Sequence, residues 1–129
     1  MSELREVRST TARGKFGQTV AVGRHALPSD EPETKGGNDA GPAPHELLLS
    51  SLAACIAMTI QGYADRKGLV LRTVAVTVNG HHEDGSFVIE KQVHIDGDVD
   101  AAQLARLIEI GDKCPVARTL SNPIRIVTI

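Results

Sequence analysis

Two cysteines carry the clearest chemical potential of this chain. Cys55 ends the run Glu46-Leu47-Leu48-Leu49-Ser50-Ser51-Leu52-Ala53-Ala54-Cys55, Cys114 sits in Lys113-Cys114-Pro115-Val116-Ala117-Arg118, and the chain has no other thiol. They lie far apart in sequence, so they are not a CxxC pair, and two thiols cannot make a four-cysteine zinc site. In a reducing compartment a permanent disulfide is not expected, which leaves inert buried thiols or a transient redox pair. A free cysteine is by default a small buried hydrophobe. If the fold brings the two together, the chemistry is that of a thiol machine.

The positions differ in what they offer sulfur. Cys55 falls about three turns into a helix, beyond the reach of the N-terminal dipole, and burial alone would silence it. A reactive Cys55 therefore needs a cation from elsewhere, and an arginine stays charged when desolvated. Cys114 precedes Pro115, so a helix starting at Pro115 makes Cys114 its cap, with the sulfur facing free N–H groups that favour a thiolate. By helix position Cys114 is expected to be the more acidic sulfur; the plainer alternative is that it fills space where a Ser is more usual. Glu46 stands in the first turn of the long helix, where an acidic residue complements the dipole. Nine residues separate it from Cys55, which at ~100° each puts the two on opposite faces, ~13.5 Å apart along the axis. Within one straight helix they cannot touch; if they cooperate, the simplest geometry has two copies of the helix crossing about a two-fold axis, one subunit's Glu46 approaching the other's Cys55.

The elements that must position these residues follow from pattern and punctuation. From Glu6 to about Ala26, short alternating segments broken by Gly14, Gly17 and Gly23 predict two or three antiparallel strands. Leu27 to Pro44 reads as a long structureless loop rich in Pro, Gly and acidic residues. Pro44 opens a helix that runs to about Lys67 and stops at Gly68. Between Leu47 and Ile60 it is apolar or small on every side, which predicts a helix buried all round. Leu69 to Val78 and Ser86 to Ile95 read as paired strands around the loop Asn79 to Gly85. Asp100 is the expected N-cap of a second helix ending near Gly111 or Lys113, a short third helix runs from Pro115 to about Leu120, and Ile124 to Ile129 reads as a closing strand. The expectation is one α+β domain over residues 1–129.

Composition removes other classes. The aromatic set is Phe16, Tyr63 and Phe87, with no Trp, too few rings for a stacking platform for single-stranded nucleic acid. Net charge is −2 and the basic residues are scattered, which argues against nucleic acid and anionic membranes. The apolar stretches read as too short to span a membrane, and Met1-Ser2-Glu3-Leu4-Arg5-Glu6 shows no apolar signal region, so a cytoplasmic location is expected. His25, His45, His81, His82 and His94 lack the i, i+4 spacing of helical ligands, and no metal is expected. Arg118, one turn after Cys114, either faces the sulfur or is solvated.

Gly41-Pro42-Ala43-Pro44-His45-Glu46-Leu47-Leu48-Leu49, Ala53-Ala54-Cys55 and Cys114-Pro115-Val116 resemble, in order and spacing, the motifs of the OsmC and organic hydroperoxide resistance family. The resemblance implies antiparallel sheets packed around a long central helix, an intertwined homodimer with active sites at the subunit interface, and a thiol-dependent peroxidase for organic hydroperoxides or hydrogen peroxide. It implies Cys55 as peroxidatic cysteine, Cys114 as resolving cysteine, Glu46 as active-site glutamate, and an N-terminal arginine holding the thiolate. For that arginine the loop Gly23-Arg24-His25-Ala26-Leu27-Pro28 resembles a less-characterised branch and favours Arg24, with Arg13 the second choice. No cofactor is implied beyond an external dithiol that regenerates the pair. Two rivals keep the scaffold and change the function: a non-enzymatic protein holding a small apolar ligand beside unreactive thiols, and a redox sensor oxidised without turnover.

Overall fold

The computed structural model describes residues 4–129; the reading of the N-terminus falls partly on Met1, Ser2 and Glu3, which lie outside the described residues. The chain divides into two compact units, one up to Leu48 and one from Leu49 to Ile129.

The first unit is built on an antiparallel meander of β1 (Val7–Thr11), β2 (Gln18–Val22) and β3 (His25–Ser29), in that spatial order. Its register runs from Val7↔Val22 to Thr11↔Gln18 and from Gln18↔Ser29 to Val22↔His25. β3 takes in Leu27, Pro28 and Ser29, which the sequence assigned to the loop. Pro28 looks like a strand breaker, but β3 is an edge strand, where a missing N–H costs no ladder bond. The remaining loop holds one 3-10 turn, Glu33–Lys35.

Helix α1 spans Pro44–Lys67 as expected. A Schellman closure ends it, with Gly68 N–H donating to the Asp65 carbonyl at 3.2 Å and Leu69 N–H to the Ala64 carbonyl at 2.9 Å. In the second unit β4 (Leu71–Glu83) and β5 (Ser86–Gly97) form one long antiparallel hairpin, followed by α2 (Ala101–Gly111) and α3 (Pro115–Ser121). Asp100 caps α2 in a full capping box with Gln103, as its position predicted. The hairpin corrects the expected loop of Asn79 to Gly85. Asn79 and Gly80 are paired strand residues, and the chain reverses at Asp84-Gly85, whose φ values of 48° and 81° suit a two-residue turn of the primed kind. Gly80 marks a close approach instead of a turn: a Cβ there would lie 2.6 Å from the Phe87 ring.

The core of the second unit is a stripe of Leu52, Ile56, Ile60 and Ala64 on α1, with Leu107 of α2 and Cys114. Val74, Val76 and Val78 of β4 and Ile89, Val93 and Ile95 of β5 pack against it from one face of the hairpin. The expectation of a helix buried all round is corrected here: Ser51, Ala54 and Gln61 are exposed and Met58 is 68% exposed, because the single chain covers only one side of α1. The reading of apolar length is corrected too, since an 18-residue stretch of α1 has a mean hydropathy of 1.6 and the helix is long and apolar enough to cross a membrane. The core helix of a globular protein has the same composition, and the buried stripe is what such a helix shows. The expected closing strand is absent. Residues 123–129 carry no strand pairing, and Ile126 is 92% exposed; a strand exists only where an edge accepts its backbone groups.

Ile60 is fully buried in this core. Ile60→Ala should lower the unfolding free energy by about 2–5 kcal/mol in urea titration; a loss below about 1 kcal/mol would show that the stripe is not the packing centre.

Candidate active site

The second unit brings its two thiols together. Cys114 is the N-cap of α3 with extended backbone (φ −66°, ψ 147°), and Pro115 occupies the first helical position. Its Sγ accepts the Ala117 N–H at 3.3 Å, and Arg118 N–H donates to its carbonyl at 3.2 Å, closing the first turn. Cys114 is completely buried, and Cys55, half-buried on the flank of the α1 stripe, packs against the same core. Both are free thiols, and they share one core.

Burial pushes the Cys114 thiol up from its ordinary 9.0, against the lowering effect of the Ala117 N–H; the bond to Cys55 raises it further, and the Val116 N–H again opposes. This corrects the expectation that the helix start favours a thiolate at Cys114. The cap is formed as foreseen, but α3 has only 7 residues and its two N–H groups do not offset the desolvation of a fully buried thiolate. Burial and the neighbouring thiol thus favour the protonated form of Cys114.

Glu46 and the two candidate arginines belong to the first unit. Glu46 is the third residue of α1, and its Oε1 accepts the Ala43 N–H at 2.8 Å. That is the return bond of a capping box, a structural use of the carboxylate beside the dipole role read from sequence. Arg24 lies exposed in the turn joining β2 to β3. Arg13 lies exposed in the turn joining β1 to β2, at the other end of the strands. The Arg13 end is the one where β3 delivers Ser29 and Asp30 and where Pro44 starts α1: Phe16, Gln18, Ser29, Asp30, Glu31 and Pro44 line one cavity of about 180 Å³.

Sequence reasoning passed over Asp30. It is 2% exposed, and its carboxylate accepts three backbone N–H groups, from Glu31 at 2.8 Å, Asn38 at 3.1 Å and Ala40 at 3.2 Å. Burial raises its pKa, but the donors from Ala40, Glu31 and Asn38 together outweigh this and hold it below the usual carboxylate value. An Asp at the mouth of a Pro- and Gly-rich loop reads as an ordinary turn residue, and its type carries no sign of the three donors.

An apolar helix bearing one thiol, a hairpin beneath it and a second thiol capping a short helix define an α+β thiol protein. Residues 36–128 match the family model described as OsmC-like protein, and the chain belongs to that family. No functionally curated protein matches it by sequence. Among solved structures, an OsmC-like protein from Mycoplasma pneumoniae aligns with a TM-score of 0.76 at 22% identity, over 94% of this chain and 89% of that one. An organic hydroperoxide resistance protein OsmC from Legionella pneumophila aligns at 0.65 and 21% identity, over 92% and 91% of the two chains. The organic hydroperoxide resistance protein OhrB of Bacillus subtilis aligns at 0.62 and 18% identity, over 91% and 90%. At these identities the likeness establishes the fold.

Because folding raises the Cys114 pKa, its neutral thiol contributes stability fully below 9.0, and the contribution is lost as pH rises through the higher folded value. Iodoacetamide at pH 8 should therefore label half-exposed Cys55 at least about tenfold faster than Cys114, measured by peptide mass mapping. Equal rates would contradict the burial and protonation assigned to Cys114.

Proposed function

We propose that the chain is a thiol-dependent peroxidase that reduces organic hydroperoxides through a Cys55 sulfenic acid and a Cys55–Cys114 disulfide. The observation that carries this is the pairing of two free thiols in one core, Cys114 completely buried as the cap of α3 and Cys55 half-buried on the flank of the α1 stripe, where it is the more accessible to a hydroperoxide. Membership of the OsmC-like family and likeness to proteins called organic hydroperoxide resistance proteins support a peroxide-related role.

The Cys55 thiolate attacks the distal oxygen of the hydroperoxide. An S–O bond forms as the O–O bond breaks, and the alkoxide leaves as alcohol after taking up a proton. Cys114 then attacks the sulfenic sulfur, forming the disulfide and releasing water. An external dithiol supplies two electrons, restores both thiols and departs as its own disulfide. No metal or resident cofactor takes part, and the reaction is cytoplasmic.

An arginine holds the thiolate and polarises the leaving oxygen, and Glu46 fixes its guanidinium. Of Arg24 and Arg13, the sheet end shared with Asp30 and Pro44 favours Arg13. The offset of Glu46 from Cys55 along one helix calls for a homodimer, in which one subunit's glutamate serves the other's thiolate. The uncovered apolar side of α1 supports the same arrangement.

On exposure to an organic hydroperoxide, intact mass should show Cys114→Ser gaining one oxygen at Cys55 and Cys55→Ser gaining none. Failure of Cys114→Ser to gain it would remove Cys55 from the peroxidatic role. With a dithiol present, the unmodified protein should turn over many equivalents; stoichiometric oxidation alone would indicate a sensor. Arg13→Lys should slow Cys55 oxidation by about 10- to 100-fold, and Arg24→Lys by much less. Light scattering should give a dimer mass, and Met58→Lys should shift it towards monomer.

A further inference from the structure

The loop before α1 is long, yet it is tied to one carboxylate. Asp30 Oδ1 accepts the Glu31 N–H, and Oδ2 accepts those of Asn38 and Ala40, so a residue at the end of β3 grips the far side of the loop. A second pair of bonds closes the neck below it: Ser29 Oγ donates to the Pro42 carbonyl at 2.8 Å, and Asp30 N–H donates to the same oxygen at 3.3 Å. Asp39 N–H bonds the Glu31 carbonyl at 3.0 Å across the middle. The segment is thus a closed ring of chain with a buried anion at its centre.

Two groups of the proposed site hang on that ring. Ala43, the residue after Pro42, presents the N–H that holds Glu46 Oε1 at 2.8 Å. On the other side the β1–β2 turn that carries Arg13 rests against the ring: a Cβ at Gly14 would lie 2.4 Å from Asn38 Oδ1. Asn38 is itself one of the residues gripped by Asp30.

We propose that Asp30 is a positioning residue for this site: its carboxylate fixes the loop of residues 31–42 and, through it, the Ala43 N–H that orients Glu46. This rests on the peroxidase reading for its catalytic consequence but not for its structural one. Only a carboxylate suits the place. Both oxygens accept, one of them twice, whereas the amide of Asn must turn an N–H₂ group toward a backbone donor. Asp30 does not touch the reacting atoms, so its removal should act through the orientation of Glu46.

The test is a double-mutant cycle between Asp30→Asn and Glu46→Gln, read together with amide hydrogen exchange. In Asp30→Asn the amides of Asn38, Ala40 and Ala43 should exchange at least about tenfold faster, while those of the Leu52 to Ala64 core keep their protection. The maximal rate of Cys55 oxidation should fall about tenfold or more with KM little changed, and in the Glu46→Gln background Asp30→Asn should cause little further loss. Unchanged exchange at Ala43 overturns the proposal whatever the activity, and losses that add across the two sites overturn it by showing that Asp30 acts through general stability. If the unmodified protein consumes no hydroperoxide, the peroxidase reading fails, and the exchange measurement still decides whether Asp30 holds the loop.

Discussion

The structure depends on the burial of one stripe of α1. Leu52, Ile56, Ile60 and Ala64 follow one another at intervals of four, so their side chains stack along one face of the helix and meet the hairpin and α2 together. Each large aliphatic residue removed from water there contributes about 1.5–3 kcal/mol, which anchors a helix whose other sides carry little of the load. Cys55, three residues after Leu52 and one before Ile56, lies on the flank of this stripe. Its half-burial follows from that address: close enough to the core to meet Cys114, yet not sealed as Ile56 is.

The electrostatics of the thiol pair follow from the same packing. A core that excludes water penalises a thiolate, and within the second unit the offsetting groups at Cys114 are two N–H groups of a short helix. Cys114 is thereby the thiol whose neutral form the packing favours. For a resolving thiol this is workable, because its neighbour is already in contact and proximity compensates for a low thiolate fraction. For a peroxidatic thiol it is insufficient, which is why the proposed mechanism needs a guanidinium from the first unit's sequence. The depth of Cys55 in its helix, beyond the reach of the N-terminal dipole, sets the same requirement.

What was legible in the sequence was whatever local chemistry decides. Pro44, Gly68, Asp100 and the Cys114-Pro115 step set helix ends through caps that involve only near neighbours, and all four appear where expected. What escaped was decided by partners distant in sequence. Pro28 is tolerated because β3 has no neighbour on its outer side, and Asn79-Gly80 stays in a strand because Glu90 and Ile89 pair with it. Ile124 to Ile129 alternates like a strand but pairs with no strand among the described residues. The cysteine pair was read from types and spacing, whereas Asp30 is defined by three donors that only the folded loop supplies.

The features the single chain leaves uncovered point the same way. Met58 on α1 and Ile124, Ile126 and Val127 in the tail are all more than half exposed. Scattered apolar residues on a surface need no explanation, but a helix that is apolar or small on every side and a tail with alternating aliphatics are concentrated exposures. In the proposed homodimer a second copy would cover both with self-complementary surfaces, since a two-fold axis applies the same solution twice. Ser51 and Ala54 on the open side of α1 would let two such helices approach closely, and the same crossing would bring Glu46 of one copy towards Cys55 of the other, as the proposed mechanism needs. In the homodimer we propose, the packing left incomplete by one chain and the active site left incomplete by one chain are therefore completed by the same contact.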